Sequence, residues 1–216
     1  KGNDFEIARI PEAQIQASPD LVIQIKPYHI EISGSVTVPY AHLEPRDVST
    51  AVRVSNDVVI IGAEQSQQKQ WVVDSRVQIK LGERVHFFGY GFEGRLDGQL
   101  LIEEQTGQPT RATGEISFID GRYRAYGQRL DIQQGRLIFS GGPLASPGLD
   151  VRAVREINTI TVGIRALGTI TQPQIELFSS PAMGQTDILS YLLLGRPIEN
   201  ASDEEGAMMA KAALAL

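Results

Sequence analysis

Alternation between residues 88 and 102, in which Leu101 is the one large apolar residue at an odd position, is the feature that most constrains the fold of this chain. Successive side chains of a β-strand point to opposite faces of a sheet. The apolar residues of this segment are therefore predicted to share one face: Phe88, Tyr90, Phe92, Leu96, Leu100 and Ile102. The charged and amide side chains from Glu93 to Gln99 are predicted on the other face. The segment predicts β-structure that is apolar on one side and polar on the other.

The same alternation recurs over residues 73–81, 116–118 and 159–170. Weaker strand patterns lie between these segments, including residues 52–54 and 58–61, and predicted turns separate them, among them Gln134-Gly135. The pair Asp120-Gly121 is typical of a tight hairpin, because both residues tolerate positive φ. About a dozen short strands at this spacing predict an all-β fold with mainly antiparallel pairing.

A glycine recurs within the strand patterns in units of the form apolar-x-Gly-x-apolar. The units are centred on Gly34, Gly94, Gly98 and Gly114, and each glycine falls on the predicted apolar face. Glycine weakens a strand and is usually retained where a sheet curves or a neighbouring backbone comes close. We therefore predict a strongly curved sheet whose apolar face is concave.

The pattern changes after residue 178. Residues 188–194 are apolar on all sides and predict a short buried helix, which Gly195 ends and Pro197 follows. This helix could be a brace, a groove plug or a membrane-contact element, and a brace is favoured because short hydrophobic helices are usually packed. A capping box at residues 202–205 predicts a second helix. The predicted division is thus a β domain over residues 1–178 and a helical segment over residues 179–216.

Composition and motifs argue against several classes of function. A net charge of −6 and the lack of a basic stripe argue against a nucleic-acid partner. The glycine spacing of residues 89–94 matches a dinucleotide-binding loop, but alternation continues through it where a helix would be needed. The sequence has no cysteine, and its three histidines, His29, His42 and His86, are scattered. We predict no enzymatic activity, no cofactor and no metal site.

Several segments together resemble the TamB C-terminal domain family. The likeness is clearest over residues 121–141 and 147–153 and in the block Asp-Ile-Leu-Ser-Tyr-Leu-Leu-Leu-Gly-Arg at residues 187–196. Residues 34–39 and 55–59 are similar to an earlier part of the family pattern. The resemblance therefore covers nearly the whole chain.

The resemblance implies a β-taco, which is a sheet folded lengthwise into an open groove with an apolar interior. It also implies a location in the periplasm of a Gram-negative bacterium, in a longer protein anchored in the inner membrane. Family members are tied to the outer-membrane barrel protein TamA, to assembly of outer-membrane proteins and to movement of phospholipid. They carry a further terminal β segment that engages the outer-membrane partner. This sequence lacks that segment and is expected to be a piece of a longer protein.

Three hypotheses follow for the apolar face. It could conduct phospholipid acyl chains, it could shelter amphipathic β-strands of outer-membrane clients, or it could be the ordinary core of a closed β-sandwich. The conduit is favoured, since a wide apolar surface left in water would forgo a large burial free energy. Its predicted lining is Val77, Ile79, Leu81, Phe88, Tyr90, Phe92, Leu96, Leu100, Ile116, Phe118, Ile160, Val162 and Ile164.

Overall fold

The computed structural model describes residues 2–45, 71–125, 127–197, 206–207 and 209–210. These residues form one sheet of ten strands, followed by a helix. The elements are β1 (Phe5–Ile10), β2 (Ala13–Lys26), β3 (His29–Leu43), β4 (Val72–Gly89), β5 (Phe92–Gln105), β6 (Arg111–Ala125), β7 (Gln128–Pro143), β8 (Gly148–Ile157), β9 (Ile160–Thr169), β10 (Gln172–Ser180) and α1 (Gln185–Leu193). The predicted all-β fold, a single curled sheet with a helical C-terminal addition, is confirmed.

The ten strands lie in the sheet in the order in which they occur along the chain. Neighbouring strands are antiparallel except β3 and β4, which are parallel. A parallel pair needs a long crossover connection. The predicted strands at residues 52–54 and 58–61, within that connection, lie outside the described residues, as does the predicted capping box at residues 202–205. Because the described strands form one sheet, the closed two-sheet sandwich is wrong for this part of the chain.

The strands are longer than the sequence predicted, because two predicted turns lie inside strands. Asp120-Gly121 does not form a hairpin; it lies within β6, where the pairing of β5 and β6 shifts and Asp120 adopts a φ of 52°. Gln134-Gly135 lies within β7 at a similar shift in its pairing with β8. These irregularities are β-bulges, which increase the local twist and bend of a sheet without ending the strand.

Tyr90 and Gly91 form the two-residue turn between β4 and β5. Both have positive φ, 53° and 84°, and Gly89 pairs with Phe92 across the turn. Positive φ at both central residues is the requirement of a type I′ turn, whose twist matches that of the flanking strands. Since partners across this turn have opposite parity, the even-numbered apolar face of β5 continues as odd-numbered residues on β4.

Glycines of the repeat occupy conformations that only glycine adopts readily. Gly98 and Gly114 both have a φ of 135°. A Cβ atom on Gly98 would collide with the carbonyl oxygen of Glu115, and one on Gly114 with that of Gln99. The glycines therefore permit the close approach of β5 and β6 in a backbone conformation that an L side chain would strain.

Candidate functional site

The candidate site is the apolar face of the sheet, which we define as the face that carries Ile79, Leu100 and Ile116. Residues directly opposite each other on neighbouring strands share a face. Ile79 pairs with Leu100, and Gly98 pairs with Ile116, which in turn pairs with Leu137. The register thus joins apolar side chains of successive strands into rows that run across the strands. The opposite, polar face carries Lys80, Gln99 and Glu115.

Aromatic rings line the apolar face near the β4–β5 turn. The ring centroid of Phe118 lies 6.0 Å from that of Phe87 and 5.9 Å from that of Phe92, and the ring of Phe92 lies 4.5 Å from that of Tyr123. Phe87 belongs to β4 and Phe118 to β6, so their rings meet above the intervening strand β5. A Cβ atom on Gly94, which pairs with Phe87, would lie 2.9 Å from the Cα of Gly121 and 3.5 Å from Cδ1 of Phe118. Aromatic side chains of this face therefore contact each other across a strand.

Most of the predicted lining is half-buried. Ile116 and Val162 are buried, with 8% and 0% of their surface exposed. The intermediate group comprises Val77, Ile79, Leu81, Phe92, Leu96, Leu100, Phe118, Ile160 and Ile164. The side chains of a tightly packed core are mostly buried, whereas this face retains accessible apolar surface.

The structure corrects the predicted positions of Phe88 and Tyr90. Phe88 pairs with Glu93 and therefore lies on the polar face, where its ring centroid is 5.0 Å from that of His42 and 6.4 Å from that of His86. Tyr90 lies in the turn and is 63% exposed. The even-numbered pattern of β5 was extended through the turn, although a two-residue hairpin reverses the parity.

Phe87 and Val85 lie on the apolar face of β4, where the sequence predicted Phe88. Phe87 pairs with Gly94, and Val85 pairs with Ala41 and is only 1% exposed. The signal that could have found them is the Tyr-Gly pair at residues 90–91. A two-residue turn at that position requires the alternation to change from even to odd numbers.

Helix α1 covers the part of the apolar face formed by β8 to β10. Val162 belongs to the same buried cluster as Ile188 and Leu192 of the helix, and Ile160 and Ile164 pack against this cluster. The predicted burial of the apolar segment at residues 188–194 is confirmed, since α1 buries Ile188, Leu189, Leu192 and Leu193. The predicted lining residues of β9 therefore contact a helix of the same chain.

Arg155 is a charged residue on the apolar face, and sequence reasoning missed it. It pairs with Val162, and its Nη1 donates hydrogen bonds to the backbone carbonyls of Tyr191 and Leu192, at 3.0 and 3.1 Å. Burial lowers the pKa of the Arg155 guanidinium. The available signal was a break in alternation, because Leu149, Val151 and Ala153 are apolar at odd positions and Arg155 follows them in register.

The polar face carries charged side chains paired across neighbouring strands. Arg122 lies 3.4 Å from Glu93, and Arg76 lies 3.6 Å from Glu103. Arg136 contacts Asp150 at 2.5 Å, and this contact raises the pKa of the Arg136 guanidinium. The exposed pairs Arg122–Glu93 and Arg76–Glu103 contribute little to stability, and their charges keep the face hydrated. An apolar ligand would therefore be accommodated on the opposite face.

Among the described residues, no group of three or more His, Asp or Glu side chains is arranged to hold a metal ion. The helices in this part of the chain are too short or too polar to span a lipid bilayer.

Comparison with known proteins shows the family to which this chain belongs. Residues 1–216 match the family model described as the TamB C-terminal domain. The translocation and assembly module subunit TamB of Haemophilus influenzae is 30% identical over 222 aligned residues, which cover 94% of this chain. The aligned part is 17% of that relative, so the chain spans about a sixth of its length. The match over the full chain shows that this protein belongs to the TamB C-terminal domain family.

Proposed function

We propose that this chain belongs to an envelope-biogenesis protein and that its apolar face conducts phospholipid acyl chains between the inner and outer membranes. The observation that carries the proposal is the continuity of the apolar face. Rows such as Ile79, Leu100 and the Cα of Gly114 cross successive strands, so the apolar surface runs perpendicular to the strands. A ligand can then pass from strand to strand without leaving apolar contact.

The dimensions of the sheet suit an acyl chain. Ten strands have nine spacings of about 4.8 Å, which span about 43 Å when measured across the strands. The hydrocarbon core of a bilayer is about 30 Å thick, so the acyl chains of one leaflet extend about 15 Å. The face is therefore long enough to act as a path rather than as a closed pocket for one chain.

The free energy of transfer also favours an apolar occupant. Moving a methylene group from water into apolar surroundings contributes about 0.8 kcal/mol, so ten methylenes contribute about 8 kcal/mol. Half-buried residues such as Leu96 and Leu100 would gain further burial from the same contact. A non-covalent path of this kind performs no reaction and requires no cofactor, so the proposal includes no enzymatic step.

The proposed setting follows from the family. The relative is named as a subunit of a translocation and assembly module. We place the chain in the periplasm of a Gram-negative bacterium, within a longer protein anchored in the inner membrane and associated with the outer-membrane barrel protein TamA. The division into a groove domain over residues 1–178 and a helical segment over residues 179–216 stays a prediction, and β10 extends two residues beyond its boundary, to Ser180.

The sheet edges favour a second candidate function. β1 and β10 are the outermost strands of the described sheet, and an edge strand presents backbone groups that can pair with an added strand. An amphipathic strand of an outer-membrane protein could add to such an edge and turn its apolar side toward the apolar face. In this alternative, the chain is a chaperone for β-barrel clients.

Photo-crosslinking at neighbouring positions of β5 tests the conduit. A photoreactive amino acid at Leu96 or Leu100 is expected to form adducts with phospholipid, because these residues face the apolar side. The matched controls are Arg95 and Gln99, adjacent in sequence and on the polar face. Equal lipid adducts at both pairs of positions would contradict the proposal. Adducts of Leu96 with nascent outer-membrane protein in place of lipid would favour the chaperone.

A further inference from the structure

Helix α1 has little stability of its own. It contains nine residues, and isolated helices shorter than about 12 residues are marginal in water. Its N-cap is Gly184, which supplies no side-chain hydrogen bond, and its last turn contains no basic residue. Its structure therefore depends on packing against the sheet and against Met209.

The sheet supplies hydrogen-bond donors to carbonyl groups at the C-terminal end of the helix. The last carbonyls of a helix have no partner within the helix and carry partial negative charge. Arg155 of β8 donates to two of them, those of Tyr191 and Leu192, from its position on the apolar face. A guanidinium can thus fix the helix in place, and its own burial is compensated by these hydrogen bonds.

The docked helix covers a surface that is apolar, like the part of the apolar face that no helix covers. Ile188 and Leu192 lie against Val162, and Leu177 of β10 packs against both apolar clusters that involve the helix. Aliphatic side chains of α1 thus provide the contacts that an acyl chain would otherwise make. Helix and acyl chain cannot both occupy this part of the face.

We propose that α1 is a displaceable lid over the β8–β10 part of the apolar face, held by Arg155, and that an entering phospholipid acyl chain displaces it. This inference depends on the proposed function, since it specifies where an acyl chain meets the end of the open path. When the lid is closed, the open path ends near β7. When it is displaced, Ile160, Val162 and Ile164 join the path.

The movement of α1 is measured with two nitroxide labels and pulsed electron resonance. The chain has no native cysteine, so Thr186→Cys on the helix and Gln172→Cys on β10 can be labelled without background. Both positions are exposed. We expect a single narrow distance distribution in buffer. A second population is expected when vesicles of phosphatidylethanolamine and phosphatidylglycerol are added.

The role of Arg155 is tested with Arg155→Gln and with the matched control Arg165→Gln. Arg165 is exposed on the polar face of β9, so its substitution removes the same charge without touching α1. Loss of a hydrogen-bonded charged partner is expected to shift the docking equilibrium about tenfold toward the displaced helix. Lipid adducts of a photoreactive residue at Ile164 should rise in Arg155→Gln and remain unchanged in Arg165→Gln.

The outcomes separate the lid from the conduit. Lipid adducts at Leu96, together with an unchanged label distance and no adducts at Ile164, would overturn the lid and leave the conduit intact. Absence of lipid adducts at Leu96 in every variant would overturn the conduit itself. If Arg155→Gln does not fold, as judged by circular dichroism, the vesicle titration of the labelled chain with Arg155 in place still decides whether α1 moves.

Discussion

Gly114 determines how closely β5 and β6 approach each other. Its φ of 135° is accessible to glycine, and a Cβ atom would meet the carbonyl oxygen of Gln99. We expect Gly114→Ala to lower the free energy of unfolding by about 1 to 3 kcal/mol, the usual cost of a residue held in a sparsely populated conformation. Urea denaturation monitored by circular dichroism measures this change.

Gly142→Ala is the matched control for Gly114→Ala. Nothing lies within 4 Å of a Cβ atom built on Gly142, and its φ is outside the positive range. This substitution should change the free energy of unfolding by less than about 0.5 kcal/mol. Equal destabilisation by both substitutions would show that backbone conformation at Gly114 does not matter.

Residue positions on the apolar face were predictable where a strand is uninterrupted. The period of two correctly placed Leu96 and Leu100 on one side of β5 and Arg95 and Gln99 on the other. It misplaced Phe88, because a turn between two strands resets the parity. Alternation could have placed Arg155 on the apolar face but not identified its partners, which are carbonyl groups 36 and 37 residues further along the chain.

The β4–β5 hairpin is an element whose stability can be raised. Tyr90 has a φ of 53°, which is costly for a bulky side chain, whereas asparagine followed by glycine is preferred in type I′ turns. Because Tyr90 is 63% exposed, little packing is lost on replacement. We expect Tyr90→Asn to stabilise the chain by about 0.5 to 1 kcal/mol, measured as a higher midpoint of thermal unfolding.

Tyr90→Val is expected to have the opposite effect from Tyr90→Asn on the stability of the hairpin. A β-branched residue tolerates positive φ poorly, so this substitution should lower the midpoint. Since Tyr90 lies in the turn and outside the apolar face, neither variant should alter lipid adducts at Leu96. A reduced yield of lipid adducts at Leu96 in Tyr90→Asn, with the fold intact, would indicate that Tyr90 lines the lipid path, as the sequence predicted.

At the level of elements, burial was easier to predict than contact partners. Apolar side chains on all sides of residues 188–194 indicated a buried helix, and Gly195 indicated its end; α1 ends at Leu193 with Leu194 as its C-cap. The surface that covers the helix could not be derived from this pattern, because periodicity describes local faces only. The docking of α1 on β9 and β10 involves residues distant in sequence, such as Val162 and Ile188.

For the whole molecule, alternation alone could not distinguish a sandwich core from a single curled sheet. Both architectures place apolar side chains on one face of each strand. The pairing of each strand with the next along the chain decides the question, and it places the ten described strands in one sheet. The repeated glycines were the sequence feature that pointed toward curvature, since a flat sheet does not require them.

The whole-molecule prediction concerns transfer of phospholipid along the apolar face. Leu96 is half-buried, pairs with Phe118 and lies in the open part of the face away from α1. A carboxylate in a hydrocarbon environment costs about 3 kcal/mol, which corresponds to about a hundredfold change in occupancy. Leu96→Asp should therefore reduce transfer of a fluorescent phospholipid between two vesicle populations by about that factor, if every molecule must pass this residue.

Two controls separate a blocked path from a damaged fold. Gln99→Asp introduces the same charge on the polar face of the same strand and should leave transfer unchanged. Leu96→Met keeps the side chain apolar at similar volume and should retain transfer. Unaltered transfer in Leu96→Asp, with its thermal unfolding similar to that of Gln99→Asp, would mean that lipid does not travel along this face. Loss of transfer in Leu96→Asp, with transfer retained in both controls, would support lipid movement along the apolar rows across β4, β5 and β6.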